Sequence, residues 1–228
     1  MKIRKMKKSG IIIKNLNYSK KKPEQYKKGW SRFQEHHIES RAEFGDNSKN
    51  NKIVLSGKIH YCWHQIFGNL NPLGAKLFVI LFLYGFKRKW TIKDIKKVIF
   101  SIKKNNISEA MQIAGYHGIQ DRRVFKISSR FANKKRKPTI DIVKVNSNFL
   151  WCWNELFKGF NADEIQIFIS IMFGNSRKKW NIKSIKALKK AIAENKIQEA
   201  ASIAGLGMEF LYFMYTDSIC ESSMAIAV

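Results

Sequence analysis

Residues 61–115 read YCWHQIFGNLNPLGAKLFVILFLYGFKRKWTIKDIKKVIFSIKKNNISEAMQIAG, and residues 151–205 read WCWNELFKGFNADEIQIFISIMFGNSRKKWNIKSIKALKKAIAENKIQEAASIAG. Laid over each other without a gap, at an offset of 90, the two stretches agree at 19 of 55 positions. Cys62-Trp63 falls on Cys152-Trp153, Phe67 on Phe157, Phe78 on Phe168, and Lys89-Trp90 on Lys179-Trp180. Ile113-Ala114-Gly115 falls on Ile203-Ala204-Gly205. Unrelated stretches would share only a handful of positions, and a long fixed period marks a repeated supersecondary unit. The expected fold class is therefore all-α: two homologous helical modules with a basic N-terminal arm. The expected boundaries are 1–58 for a flexible arm, 59–147 for the first module and 148–228 for the second.

Each module reads as about four helices. Trp63, Ile66, Phe67 and Leu70 recur at helical spacing. The apolar runs from Ala75 to Phe86 and from Ile165 to Phe173 suit buried helices, with a strand as the competing assignment for such β-branched runs. Thr91 is placed to cap the next helix, with Asp94 at the capping-box position, and Asn181 takes the same place in the second copy. Asn105-Asn106 ends that helix, Ile107 to Ala114 forms a short one, and Gly115 and Gly205 suit a left-handed helix end.

The charge is large and uneven. Of 228 residues, 43 are Lys or Arg and 17 Asp or Glu, a net of +26. Residues 1–58 carry +11, 59–119 carry +7, 120–147 carry +7, and 148–228 only +1. An AT-rich genome, whose codons favour Lys, Asn and Ile, accounts for many cations but not for the shortage of acids before residue 148. With 45% apolar residues and three prolines the chain has a core. Such a basic asymmetry points to a polyanionic partner. No run reaches the roughly 18 apolar residues of a membrane span, and the basic start lacks the apolar stretch of a signal peptide. Three cysteines far apart in sequence suit a reducing compartment. A cytoplasmic protein is expected.

A helix-turn-helix is expected across Gly115. Its second helix would run from about Ile119 to Phe131, with Val124, Ile127 and Phe131 on one face. Gln120, Arg122, Arg123, Lys126 and Arg130 would then face a DNA major groove, because Arg bridges guanine and Gln pairs with adenine. The stretch from Gly115-Tyr116-His117 to Val124-Phe125-Lys126 is similar, over about 20 residues, to the second helix-turn-helix of AraC-type regulators. Ile107 stands eight residues before Gly115, as in that pattern. Arg122 replaces the family's usual aromatic, the spacing to Phe125-Lys126 differs by about one residue, and no membership is assigned.

Two further basic features are candidate phosphate contacts. Lys87-Arg88-Lys89 and Arg177-Lys178-Lys179 each precede a predicted helix start, where backbone N–H groups and the helix dipole favour anions. Lys134-Lys135-Arg136-Lys137 and the N-terminal lysines form polycationic runs. Tyr18, Tyr26, Trp30 and Phe33 interleave with the arm's bases and suit stacking on unpaired bases.

Enzymatic patterns are weak. His36 and His37 are adjacent and would not share a helix face, no Cys-x-x-Cys occurs, and no phosphate-cradling glycine loop occurs. Cys62 and Cys152 read as buried thiols. We expect no catalytic site, no metal and no cofactor. The expected function is nucleic-acid binding, DNA more than RNA, in transcription regulation or as an accessory replication or transfer factor. RNA or single-strand binding is the alternative, and a protein-interaction role as adaptor or secreted effector is another. The near-neutral second module is a candidate for self-association.

Overall fold

The computed structural model describes residues 12–14, 32–39, 45–85, 87, 89–116, 139–142 and 147–207. These residues are mostly helical, with eight α-helices and short strands among them. The strands are β1 (Ile12–Lys14), β2 (Phe33–His37), β3 (Lys52–Ser56), β4 (Lys89–Trp90), β5 (Thr139–Ile142) and β6 (Lys179–Trp180). The first helices are α1 (Gly57–Phe67), α2 (Pro72–Tyr84), α3 (Ile92–Lys103) and α4 (Ile107–Ile113). The second group is α5 (Ser147–Phe157), α6 (Ala162–Phe173), α7 (Ile182–Ala193) and α8 (Ile197–Ala204).

The helices begin where local chemistry allows. Asn71 caps α2 by accepting from the Gly74 amide, and Pro72 opens that helix, where a missing N–H costs nothing. Thr91 and Asp94 form a reciprocal capping box on α3, as do Asn161 and Glu164 on α6 and Asn181 and Ser184 on α7. Asn105 and Asn195 turn the chain at φ 55° and 58°, in the left-handed region that Asn tolerates better than most residues.

The strands depart from the all-α expectation. They make two three-stranded sheets, ordered β1-β5-β4 and β2-β3-β6. β2 and β3, inside the stretch expected as an arm, pair antiparallel with Phe33 opposite Ser56 and His37 opposite Lys52. β3 then runs directly into α1 and pairs parallel with β6, Val54 beside Lys179 and Leu55 beside Trp180. β4 pairs parallel with β5, Lys89 beside Asp141 and Trp90 beside Ile142. Thus β4, in the first helix group, pairs with the strand before α5, and β6, in the second, pairs with the strand before α1.

One apolar core joins both groups. α1 packs on α5, and α2 packs on α6. Trp63, Phe67, Phe78, Phe157 and Phe168 are buried in a connected set of ring contacts. The Phe67 and Phe157 ring centres lie 5.8 Å apart. Burying side chains of this size stabilises by about 1.5–3 kcal/mol each. Trp180 is buried with its indole N–H donating to the Met172 carbonyl at 2.9 Å. No single helix among the described residues is long and apolar enough to cross a membrane; α1 and α2 pass on length and composition only together, across a 56° bend.

Candidate nucleic-acid interface and histidine cluster

The exposed face of α3 carries Lys93, Lys96, Lys97 and Phe100, with Lys104 at its C-cap, so that successive turns each present a cation or the ring. Its opposite face buries Ile95, Val98 and Ile102. That split is what a 3.6-residue period produces when apolar and basic positions alternate in this rhythm. On α7 the corresponding exposed positions hold Lys183, Lys186 and Lys190, over buried Ile185, Leu188 and Ile192. Among the described residues no carboxylate pairs with any of these lysines. Like charges three and four residues apart repel along a helix, so the stripe persists because the buried face holds the helix in place.

Phe100 is 59% exposed within that stripe, and the Lys104 ammonium lies 5.8 Å from its ring centre. The turn behind α3 is fixed by Glu109, whose carboxylate accepts from the Ser101 hydroxyl at 2.8 Å and the Asn106 amide at 3.1 Å.

The basic triplets are placed as follows. Lys87 is engaged: its ammonium pairs with Asp94 at 3.2 Å. Lys89 and Lys179 sit exposed on β4 and β6. Arg177 is exposed, and Lys178 lies over the Trp180 ring at 5.8 Å. The α3 start is already capped by Thr91 and Asp94, which use two of its backbone donors. Arg88, Gln120, Arg122, Arg123, Lys126, Arg130 and Lys134 to Lys137 lie outside the described residues, and so does the expected groove helix. The exposed basic set that the structure shows is a different one, spaced along α3 and, separately, along α7 rather than consecutive in sequence.

A cleft of about 230 Å³ lies where α1, α5 and α7 meet, with Lys58, Cys62, Glu155, Lys186 and Lys189 on its walls. Lys58 pairs with Glu155. Lys189 donates to the Glu155 carbonyl at 2.9 Å and faces the Phe160 ring at 5.7 Å. Burial lowers the Lys189 ammonium to about 8, against the opposing pull of Glu155.

A second cluster was not expected from the sequence. His36 on β2 meets His60 and His64 on α1, with ring centres 5.2 and 4.9 Å from it. One ring nitrogen from each of the three lies within 4.8 Å of the others. His64 Nε2 is 3.3 Å from His60 Nε2. His64 Nδ1 is 2.8 Å from the Gly68 carbonyl; only a donor fits there, so Nδ1 carries the hydrogen. Gly68 sits at φ 61°, a conformation that suits glycine and ends α1 with this carbonyl turned toward His64. Burial, followed by the neighbouring imidazoles, lowers His36 to about 3 and His60 to about 4, so both rings are neutral at pH 7. The cluster opens on a pocket of about 190 Å³ bounded by Glu35, His37, Asn69 and Leu70. The expectation of no metal site was made as though no His-x-x-x-His pair occurred, and that is wrong: His60-Tyr61-Cys62-Trp63-His64 is one. Its four-residue spacing, which puts two imidazoles on one helix face, is the signal that finds them.

No protein-family model matches this sequence, and no curated protein or solved structure matches it.

Proposed function

We propose that this chain is a nucleic-acid-binding protein built from two copies of one helical module folded face to face. In this reading α3 and α7 are counterparts, each offering an exposed row of lysines to the phosphate backbone. The observation that carries the reading is the unpaired stripe Lys93, Lys96, Lys97 and Lys104, echoed by Lys183, Lys186 and Lys190. Such a row meets a regularly spaced anion better than it meets water, because each contact releases condensed counterions. These are positioning contacts; they carry no sequence information of their own. DNA duplex is the preferred partner. The exposed Phe100 beside Lys104 favours a second reading, single-strand or RNA binding, because an aromatic ring among cations stacks on unpaired bases.

Fluorescence anisotropy with a duplex, a single strand and a folded RNA tests both. Lys96→Glu with Lys97→Glu is expected to weaken duplex binding at least about tenfold, and Lys183→Glu with Lys186→Glu to weaken it comparably. Phe100→Ala separates the readings: loss confined to the single strand supports stacking. No binding of any nucleic acid by the native chain at low salt would overturn the proposal and leave a protein-interaction role.

A further inference from the structure

We propose that His36, His60 and His64 bind one divalent transition-metal ion of the zinc class, with a fourth position facing the pocket beside Glu35, His37 and Asn69. Imidazole is a preferred donor for such ions, and three protein ligands with one exchangeable position is a recognised coordination pattern.

The geometry fits at three points. Zinc–nitrogen bonds of about 2.0–2.1 Å place tetrahedral ligand atoms about 3.3–3.4 Å apart. His60 Nε2 and His64 Nε2 are already 3.3 Å apart. With all three ligand atoms within 4.8 Å, the contraction needed on the His36 side is at most about 1.5 Å. The outer contacts fit as well. The hydrogen bond from His64 Nδ1–H to the Gly68 carbonyl leaves Nε2 as the bare lone pair, the arrangement that orients metal-ligating histidines. In the His60–His64 contact it is then His60 that supplies the hydrogen, and ligation would move it to Nδ1. The frame is short and continuous: β2 is held against β3, and β3 leads straight into α1.

Packing alone does not ask for histidine here. The residues 90 positions on from His60 and His64 are Leu150 and Asn154, on α5. Leu150 is buried, so this helical position is filled by an apolar side chain in the second group. The same comparison supplies the test variants. His60→Leu and His64→Asn introduce side chains that a corresponding helix already carries.

The experiment uses the untagged full-length chain, stripped with a chelator and dialysed. Zn²⁺ is titrated in competition with a chromophoric chelator, and Co²⁺ is titrated for its visible d–d bands. The proposal predicts one ion per chain and the intense bands of a four-coordinate cobalt site. It predicts that His60→Leu and His64→Asn each weaken binding about 100-fold or more, since even outer contacts are worth 10–100-fold. Zn²⁺ should raise the melting temperature of the native chain and not that of the double variant. Equal Zn²⁺ affinity in the native chain and the His60→Leu/His64→Asn variant would overturn the assignment, and so would weak octahedral cobalt bands in the native chain.

Discussion

The thiols of Cys62 and Cys152 are neighbours in the core, although 90 residues separate them. Both are buried and free. Phe67 and Phe157, at the same separation, also face each other. A residue that touches its own counterpart lies near a local twofold axis, as at the centre of a symmetric dimer interface. Under the proposed duplication, α1 and α5 form such an interface within one chain.

That contact is testable by thiol chemistry. Burial and the neighbouring thiol push Cys62 well above the ordinary thiol range, so little thiolate forms at pH 8. Iodoacetamide should label neither Cys62 nor Cys152 in the folded chain and both in urea, as read by peptide mass mapping. Equal labelling rates in both conditions would mean that α1 and α5 do not close on each other. A Cys62→Ala, Cys152→Ala cycle should show coupling of about 0.5 kcal/mol or more, as residues in contact do.

Lys189 makes stability depend on alkaline pH. Its folded value near 8 lies below the ordinary 10.5, chiefly through burial and further through Lys158 and Lys58. Between these values the unfolded chain binds more protons, so this group makes the fold more stable as pH rises from 8 to 10.5. Lys189→Met removes the titration and keeps the stem. Urea melts at several pH values should show native minus variant stability climbing across that window, by up to about 1.4 kcal/mol per unit. A flat or falling difference would place the ammonium in water.

The α3 cap gives a third prediction. The Thr91 hydroxyl accepts from the Asp94 amide at 3.2 Å, and the Asp94 carboxylate accepts from the Thr91 amide at 2.8 Å. Thr91→Ala should cost about 1 kcal/mol in chemical denaturation. Asp94 sits below the ordinary carboxylate range: burial alone would raise it, and the bonds from Thr91 together with Lys87 outweigh that. Its contribution is therefore present above the unfolded value and fades as pH falls through the folded one. Asp94→Asn should lose less stability than the native chain on acidification below pH ~4; equal acid sensitivity would contradict the pairing.

The helices were legible because their causes are local. Thr91 with Asp94 announces an N-terminus, and Ile92, Ile95, Ile99 and Ile102 recur at helical spacing; the buried face centres on Ile95, Val98 and Ile102, with Ile92 and Ile99 at its margins. The strands were not. β4 and β6 are two residues long and owe their existence to partners far off in sequence: Lys89 pairs beside Asp141, and Lys179 beside Val54. No local periodicity encodes such pairing. The histidine cluster was half visible. His60 and His64 share a helix face by spacing alone. His36 joins them from a strand, where neighbours alternate sides, so His36 turns inward at 5% exposure while His37 bonds Asn47. Adjacency argued against a shared site only on the assumption of a helix. The lysine stripe was likewise hidden, since consecutive triplets draw the eye and cations spaced three and four apart align only once α3 is wound.

The central claim is that the α3 lysines meet phosphates. Its most direct measure is the slope of log K against log salt for a DNA duplex, native chain against Lys93→Gln/Lys96→Gln/Lys97→Gln/Lys104→Gln. Each phosphate contact contributes about 0.9 to that slope. The variant's slope should be shallower by about 3 to 4, with the fold unchanged by circular dichroism. An identical slope in the two proteins would contradict it.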